Sequence, residues 1–356
     1  MKKYRIQVVI ILLLTGLLNS CYKYDPGDIV PSITNLEVSF ETSGGTNLSK
    51  NIIPEEGGFV KQPFSPVKAG FAFESWYSDK ELTNEFDFAN VRIFENTTIY
   101  AKYITDQANQ DRFNFDPATK TISTLKEPDY RKKMKNVVIP VKMGDVPVEN
   151  MSAWGFYQDP ALVSMLVPDG VKTIGNECFR QSKKLKVLYI GNTVTTIGSN
   201  CFEGCSELTT IQIPGLLTSL GGGCFANIKK VSHKLVIPNG VTVIPGYCFY
   251  QSEFAGGIEL GNAVTTIQGN AFTDCLIQSI TLPATLTSIG AGGLARSART
   301  IIVKGTDPAK ITLAQYAFLN PLGVTIKVPK ASLEAFRTHA AWASYNVSPN
   351  QIVADE

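Results

Sequence analysis

Phenylalanine recurs through the second half of the chain at a nearly constant interval. Phe156, Phe179, Phe202, Phe225, Phe249, Phe272, Leu294 and Phe318 follow one another at 23, 23, 23, 24, 23, 22 and 24 residues. A second column, Pro168, Gly191, Pro214, Pro238, Gly261, Pro283 and Gly305, keeps the same spacing and closes an apolar strand each time, as in Ile211-Gln212-Ile213-Pro214. Between the columns runs Val-Thr-x-Ile-Gly or a variant, at residues 171–175, 194–198, 264–268 and 286–290. Each unit is therefore predicted to be a strand, a turn, a short apolar segment, a glycine and a Phe-bearing turn. One such unit cannot bury its apolar side alone, so neighbours must stack into a solenoid with a continuous core.

The first third of the chain has a different pattern. Short alternating runs such as Leu36-Glu37-Val38-Ser39-Phe40 and Thr98-Ile99-Tyr100-Ala101 are separated by Gly44-Gly45 and Gly57-Gly58, which predicts a small strand-rich module. Its aromatics, Phe71, Phe73, Trp76, Tyr77, Phe86, Phe88 and Tyr100, suffice to make its core, so we read them as packing rather than as a sugar site. Ahead of the module, Lys2, Lys3 and Arg5 precede an apolar run at 8–18 that is interrupted by Thr15 and Gly16. Such a run is too short to cross a hydrocarbon core of about 30 Å and is predicted to be a signal peptide.

Three resemblances refine this picture. Leu18-Asn19-Ser20-Cys21 resembles the lipobox of bacterial lipoproteins, which implies lipidation at Cys21 and anchoring to the outer membrane of a Gram-negative, Bacteroides-like cell. Phe40, Gly44-Gly45, Pro66, Gly70-Phe71, Trp76-Tyr77, Phe86-Asp87-Phe88 and Ile99-Tyr100-Ala101-Lys102-Tyr103 resemble the Listeria-Bacteroides (internalin B-type) repeat, with Ser75 where that family has Gly and Tyr103 where it has Trp. The resemblance implies a β-grasp-like fold used as a spacer or interaction module. The repeats resemble the BspA-like leucine-rich family, whose unit runs Leu-x-x-Ile-x-Ile-Pro, Val-Thr-x-Ile-Gly and Ala-Phe-x-x-Cys, and which implies binding at a cell surface, as in adhesins, rather than chemistry.

The expected architecture is mainly β with short helical or 3-10 turns. Its parts are a signal peptide at 1–20, a tether at 21–35, the β-grasp-like module at 36–104, a linker and entry to the solenoid at 105–136, and the repeats with a helical cap at 137–356. Apolar spacing at Leu333, Phe336 and Ala340, continuing to Trp342 and Tyr345, predicts that cap.

Composition narrows the function. Lys and Arg number 33 against 31 Asp and Glu, and without residues 1–20 the balance is 30 against 31, which offers nothing to nucleic acid. The two histidines, His233 and His339, lie apart and leave little for a metal site or a triad. The sequence therefore suggests no enzyme, no catalytic residue, no metal and no cofactor. Cys178, Cys201, Cys224 and Cys248 precede the periodic Phe, and Cys205 and Cys275 follow it by three. In stacked turns roughly 4.8 Å apart they are read as buried small residues, with disulfides as the alternative. Arg131-Lys132-Lys133-Met134-Lys135 reads as a solvated approach to the first strand, and Gly221-Gly222-Gly223 as a turn.

Period two then locates a binding face. The residue between the inward Ile-x-Ile positions points outward, giving Leu166, Tyr189, Gln212, Val236, Glu259 and Thr281, with Ser164, Val187, Thr210 and Lys234 one position pair earlier. Leu166, Val187 and Tyr189 are apolar where water would favour polar side chains, and they mark the expected contact with an unidentified surface protein or glycan. The expected protein is a monomeric, surface-exposed lipoprotein of the cell envelope that recognises a macromolecule. The alternative is a structural or spacer component of an envelope complex with no ligand of its own.

Overall fold

The protein is described by a computed structural model covering residues 35–355, apart from 54–56, 64, 69–70, 89, 127, 320–322 and 345–347. The expected signal peptide, Cys21 and the rest of the expected tether through residue 34 lie outside the described residues, as do Gly70 and Tyr345.

The N-terminal module is a four-stranded sheet in the order Asn51–Ile53, Leu36–Glu41, Thr97–Thr105, Phe71–Tyr77. The two central strands run parallel, Val38 opposite Thr97, and the outer pairings are antiparallel. Alternation buries Val38, Ile99 and Ala101 on one face, where Trp76 packs 5.2 Å from both Phe40 and Phe73, ring centre to ring centre. Phe73, Trp76 and Phe86 fill the core as predicted. Phe71 does not and is 42% exposed.

The stretch expected to be linker and entry is itself folded into the solenoid. A helix at Asp106–Gln110 leads to a hairpin of Phe113–Asp116 and Thr121–Leu125, whose Phe113, Ile122 and Leu125 are buried in the repeat core. Thr121–Leu125 pairs with Asn150–Met151 and so starts one of the solenoid's two parallel sheets. The basic run lies partly in a helix, Pro128–Lys133, where the Arg131 guanidinium donates to the Tyr157 carbonyl at 2.8 Å.

From there each unit adds one strand to each face. On the first face Asn136–Val138, Ser164–Val167, Val187–Ile190 and Thr210–Ile211 pair in parallel, and Leu235–Val236, Ile258–Glu259, Leu276–Leu282, Ala298–Val303 and Thr325–Pro329 continue it. The periodic Phe rings lie between the faces in a single stack. Consecutive centroids from Phe156 to Phe272 are 5.0 to 5.5 Å apart and the rings tilt by 10 to 19°. The glycine ending Val-Thr-x-Ile-Gly is required by close approach. A Cβ on Gly198 would sit 2.5 Å from the Asn176 backbone nitrogen of the preceding turn.

Both sheets are interrupted at the same turn. Thr210–Ile211 does not pair with Leu235–Val236, nor Ser219–Leu220 with Val243–Ile244. The unit there has 24 residues between Phe225 and Phe249, and Pro245 stands where Gly198 and Gly221 donate backbone N–H groups to the previous turn at 2.8 Å. Proline has no such donor. His233 partly fills the gap, its Nε2 2.7 Å from the Ile211 carbonyl oxygen.

The C-terminal cap is less helical than predicted. The helices Leu333–Thr338 and Ala340–Ser344 are short, with Trp342 buried between Phe318 and Phe336, and the sheet itself is closed by an added strand, Ile352–Asp355, on Thr325–Pro329.

Candidate binding surface

Strand register brings the predicted outward column together. Val138, Leu166 and Tyr189 lie side by side on adjacent strands, and so do Val236, Glu259 and Thr281. The same ladder extends the column through Ile302, Lys327 and Val353, which the strand pattern in the sequence left out because Ala298–Val303 and the closing strand carry no Ile-x-Ile-Pro signature.

The apolar end of this strip is not free. Ser164, Leu166 and Val187 are 2%, 5% and 3% exposed, because the module's strand Phe71–Tyr77 packs onto Asn136–Val138 and its core receives Val138. Across this junction Ser164 Oγ donates to Asn136 Oδ1 at 2.6 Å, Asn136 Nδ2 to Ser75 Oγ at 2.9 Å, and Ser75 Oγ to Glu85 Oε1 at 2.6 Å. Glu85 also pairs with Lys135 at 3.1 Å, and Arg112 with Glu74 at 3.2 Å. Burying Ser164, Asn136 and Ser75 here is tolerable only because each is matched. The outward apolar residues therefore mark an intramolecular interface, which corrects the expectation that Ser164, Leu166 and Val187 face a partner. Tyr189 sits at its edge and, with Leu166, Phe71, Val67 and Pro168, lines a cleft of about 370 Å³ between module and solenoid.

The remaining strip is accessible and mixed. Gln212, Lys234 and Glu259 are exposed, Thr210 and Thr281 are half-buried, and Val236 is 50% exposed beside a Lys234–Glu259 ion pair. Thr210, Gln212, Lys234 and Val236 border a second depression of about 460 Å³ at the break in the sheet.

The six repeat cysteines are free and buried. Burial pushes the Cys178 and Cys205 thiols up to about 12 and raises Cys201, Cys224, Cys248 and Cys275 as well. Cys205 has a further role. Three residues after Phe179, Phe202 and Phe249, a small donor reaches back one turn: Ser182 Oγ to the Phe156 carbonyl at 2.6 Å, Cys205 Sγ to Phe179 at 3.1 Å, Ser252 Oγ to Phe225 at 2.6 Å. Among the described residues no group of three or more His, Cys, Asp or Glu side chains is placed to hold a metal, and no helix is long and apolar enough to cross a membrane.

One surface charge is well defined. Glu149 bridges Lys120 at 2.6 Å and Lys172 at 2.7 Å, and these two hydrogen-bonded ammonium groups hold its carboxyl down at about 2 against an ordinary 4.5. With the folded value below the unfolded one, its stabilisation is complete above pH 4.5 and disappears as pH falls through about 2. Glu149→Gln is accordingly expected to lower stability at neutral pH and to converge with the parent chain in urea titrations toward pH 2. A constant difference across that range would refute the assignment.

The model of the BspA type leucine rich repeat region matches in six copies over residues 149–256 and 232–347, more than half of the 356-residue chain. The chain belongs to the BspA-type leucine-rich repeat family. Its N-terminal module, residues 37–102, matches the Listeria-Bacteroides repeat domain. Two proteins of Evansella cellulosilytica, named as membrane proteins and one of them as Gly-rich, share 30% identity over 151 residues and 33% over 125 with this BspA-type chain. The matches cover 39% and 35% of the chain but 16% and 17% of the relatives, so the chain spans about a sixth of their length. Among solved structures it is similar to a leucine rich cell surface protein of Faecalibacterium prausnitzii (22% identity, 62% of this chain and 69% of that one, TM-score 0.49) and a leucine-rich repeat protein of Bacteroides ovatus (22%, 62% and 64%, 0.44).

The BspA-type turn also carries residues that the sequence reading missed. The position two before each Phe has a left-handed backbone, with φ of 55° at Trp154, 55° at Glu177, 52° at Asn200, 59° at Tyr247, 57° at Asn270 and 61° at Tyr316. Trp154, Tyr247 and Tyr316 are 61%, 53% and 51% exposed. The signal was available in the Phe register, since Trp154-Gly155-Phe156, Tyr247-Cys248-Phe249 and Tyr316-Ala317-Phe318 align.

Proposed function

We propose that this chain is a lipoprotein of the bacterial cell envelope, anchored through Cys21 to the outer membrane and displayed at the cell surface, whose solenoid recognises a macromolecular partner. The observation that carries this reading is the accessible part of the strip, Thr210 to Thr281 and on to Val353, which the docked module leaves open in a fold of the BspA-type family. Repeat solenoids use such extended faces for binding. The membrane-protein names of the Evansella relatives support an envelope location. A second reading, a spacer without a ligand, is favoured by the covering of Leu166 and Val187 by the chain's own module.

Protease shaving of intact cells, with mass spectrometry of the released peptides and of the Cys21 fragment, tests the proposal. We expect diacylglycerol on Cys21 and solenoid peptides released from unbroken cells. Protection until lysis would overturn surface display. In the purified chain, Val236→Asp with Gln212→Asp is expected to reduce capture of a surface partner at least tenfold while leaving the fold unchanged; undiminished capture would remove the strip.

A further inference from the structure

We propose that the ridge of Phe-bearing turns, rather than the sheet face, is a second binding surface, and that it takes an extended, uncharged polysaccharide chain on the exposed rings of Trp154, Tyr247 and Tyr316. This deepens the recognition reading above and rests on it.

The three rings occupy one structural position, two residues before the stacked Phe, and so project from the same ridge. Trp154 and Tyr247 are four turns apart and Tyr247 and Tyr316 three, or roughly 19 Å and roughly 14 Å at the strand spacing. The left-handed backbone at this position suits Gly and Asn, which occupy it at Gly223, Gly292, Asn200 and Asn270. A bulky aromatic there is disfavoured, and three of them, each at least half exposed, add nothing to the core. Unfavourable residues kept without a packing return are the kind that binding retains.

Geometry and charge identify the occupant. Protein hot spots gather at the centre of one dry patch, whereas these rings stand singly along a line with polar residues between them. A polymer whose repeating units each offer an apolar face can meet all three. The cations on the ridge are paired and leave no positive excess: Arg180 pairs with Glu177 at 2.9 Å and Glu203 at 2.6 Å, and Arg296 pairs with Asp274. No field is left to draw a phosphate or carboxylate polymer. The position two after each Phe adds amides, Gln158, Gln181, Asn227 and Gln251, of the kind that bond hydroxyl groups. Tyr250 stands edge-on to Tyr247, ring centres 5.6 Å apart, and broadens the middle platform.

The test is native affinity electrophoresis of the full chain through gels containing laminarin, mannan, xylan or dextran. We expect retardation by at least one of these. Trp154→Gly, Tyr247→Gly and Tyr316→Gly should each weaken it about tenfold, and the triple variant should migrate as in a plain gel. Glycine is at ease at these φ values, so the melting temperature should not fall and loss of binding is not loss of fold. No retardation by any of the four polymers, or equal retardation of the triple variant, overturns the proposal. A triple variant that ignores all polysaccharides but loses a protein partner assigns the ridge to protein instead. Retained capture through Gln212 and Val236 leaves the recognition reading standing whatever happens to the ridge.

Discussion

Phe202→Ala is expected to cost about 3–5 kcal/mol, the usual range for emptying a fully buried aromatic site. Phe202 is 0% exposed and stacks at 5.5 Å on both Phe179 and Phe225, so truncation removes the ring's own burial and a partner from each neighbour. In a solenoid each turn touches only adjacent turns, so a cavity in the middle lies between two arrays that each retain their own contacts. We therefore expect the urea transition to move to lower concentration and to separate into two steps, followed by circular dichroism and by tryptophan fluorescence. Position 294 has Leu in the column, and Leu294→Ala, with no stacked ring to lose, should cost less. A shift below about 1 kcal/mol for Phe202→Ala would mean that the ring stack follows from the fold without stabilising it.

The second large effect is chemical. Cys178 and Cys205, held at about 12, should form thiolate about a thousandfold less than an exposed thiol at its ordinary 9.0, and the sulfurs are shielded from reagent as well. In a brief iodoacetamide pulse at pH 8 none of the six repeat cysteines should be alkylated in the folded chain, and all six should be alkylated in urea, read by peptide mass. Modification of Cys201 or Cys224 at the rate of a free thiol would show that the ladder opens without global unfolding. The same shielding would let six thiols persist unoxidised in the oxidising compartment that the proposed export implies.

The repeat fold was legible because its signal is a register: the Phe column, the Pro or Gly column and the Cys positions each report one place in the turn, and stacking turns those columns into ladders. The function was less legible because it depends on what lies over a ladder. Leu166 and Val187 point outward as period two requires, yet whether water, a partner or the chain's own module covers them depends on Ser75, Glu85 and Phe71–Tyr77, which are 81 to 116 residues away in sequence. Trp154, Tyr247 and Tyr316 were hidden for another reason. They keep the Phe register, but a turn residue beside a Phe has no hydrophobic periodicity of its own to draw notice, and the left-handed backbone that makes an aromatic unusual there is seen in the structure alone. The closing strand Ile352–Asp355 is four residues long and, although Ser348-Pro349-Asn350 marks a turn before it, it carries no Ile-x-Ile-Pro pattern to tie it to the repeats.

The coincident break in both sheets divides the solenoid under load. A pull along its axis loads the turns in series, and at most junctions strand hydrogen bonds on two faces share the force. Between the turns of Phe225 and Phe249, among the described residues, neither sheet pairs, and backbone bonds continue along the ridge, from Gly223 to Gly246 at 3.0 Å, Phe225 to Cys248 at 2.8 Å and Asn227 to Tyr250 at 2.9 Å, and in the segment just after it, from Glu253 to Ile228 at 2.7 Å and Ala255 to Val231 at 3.0 Å, with His233 helping on one side. That junction is a mechanical fuse. A stretched molecule would part there first, lengthening while two folded blocks survive, and would re-form when the tension drops because the unbroken ring stack on either side keeps the register.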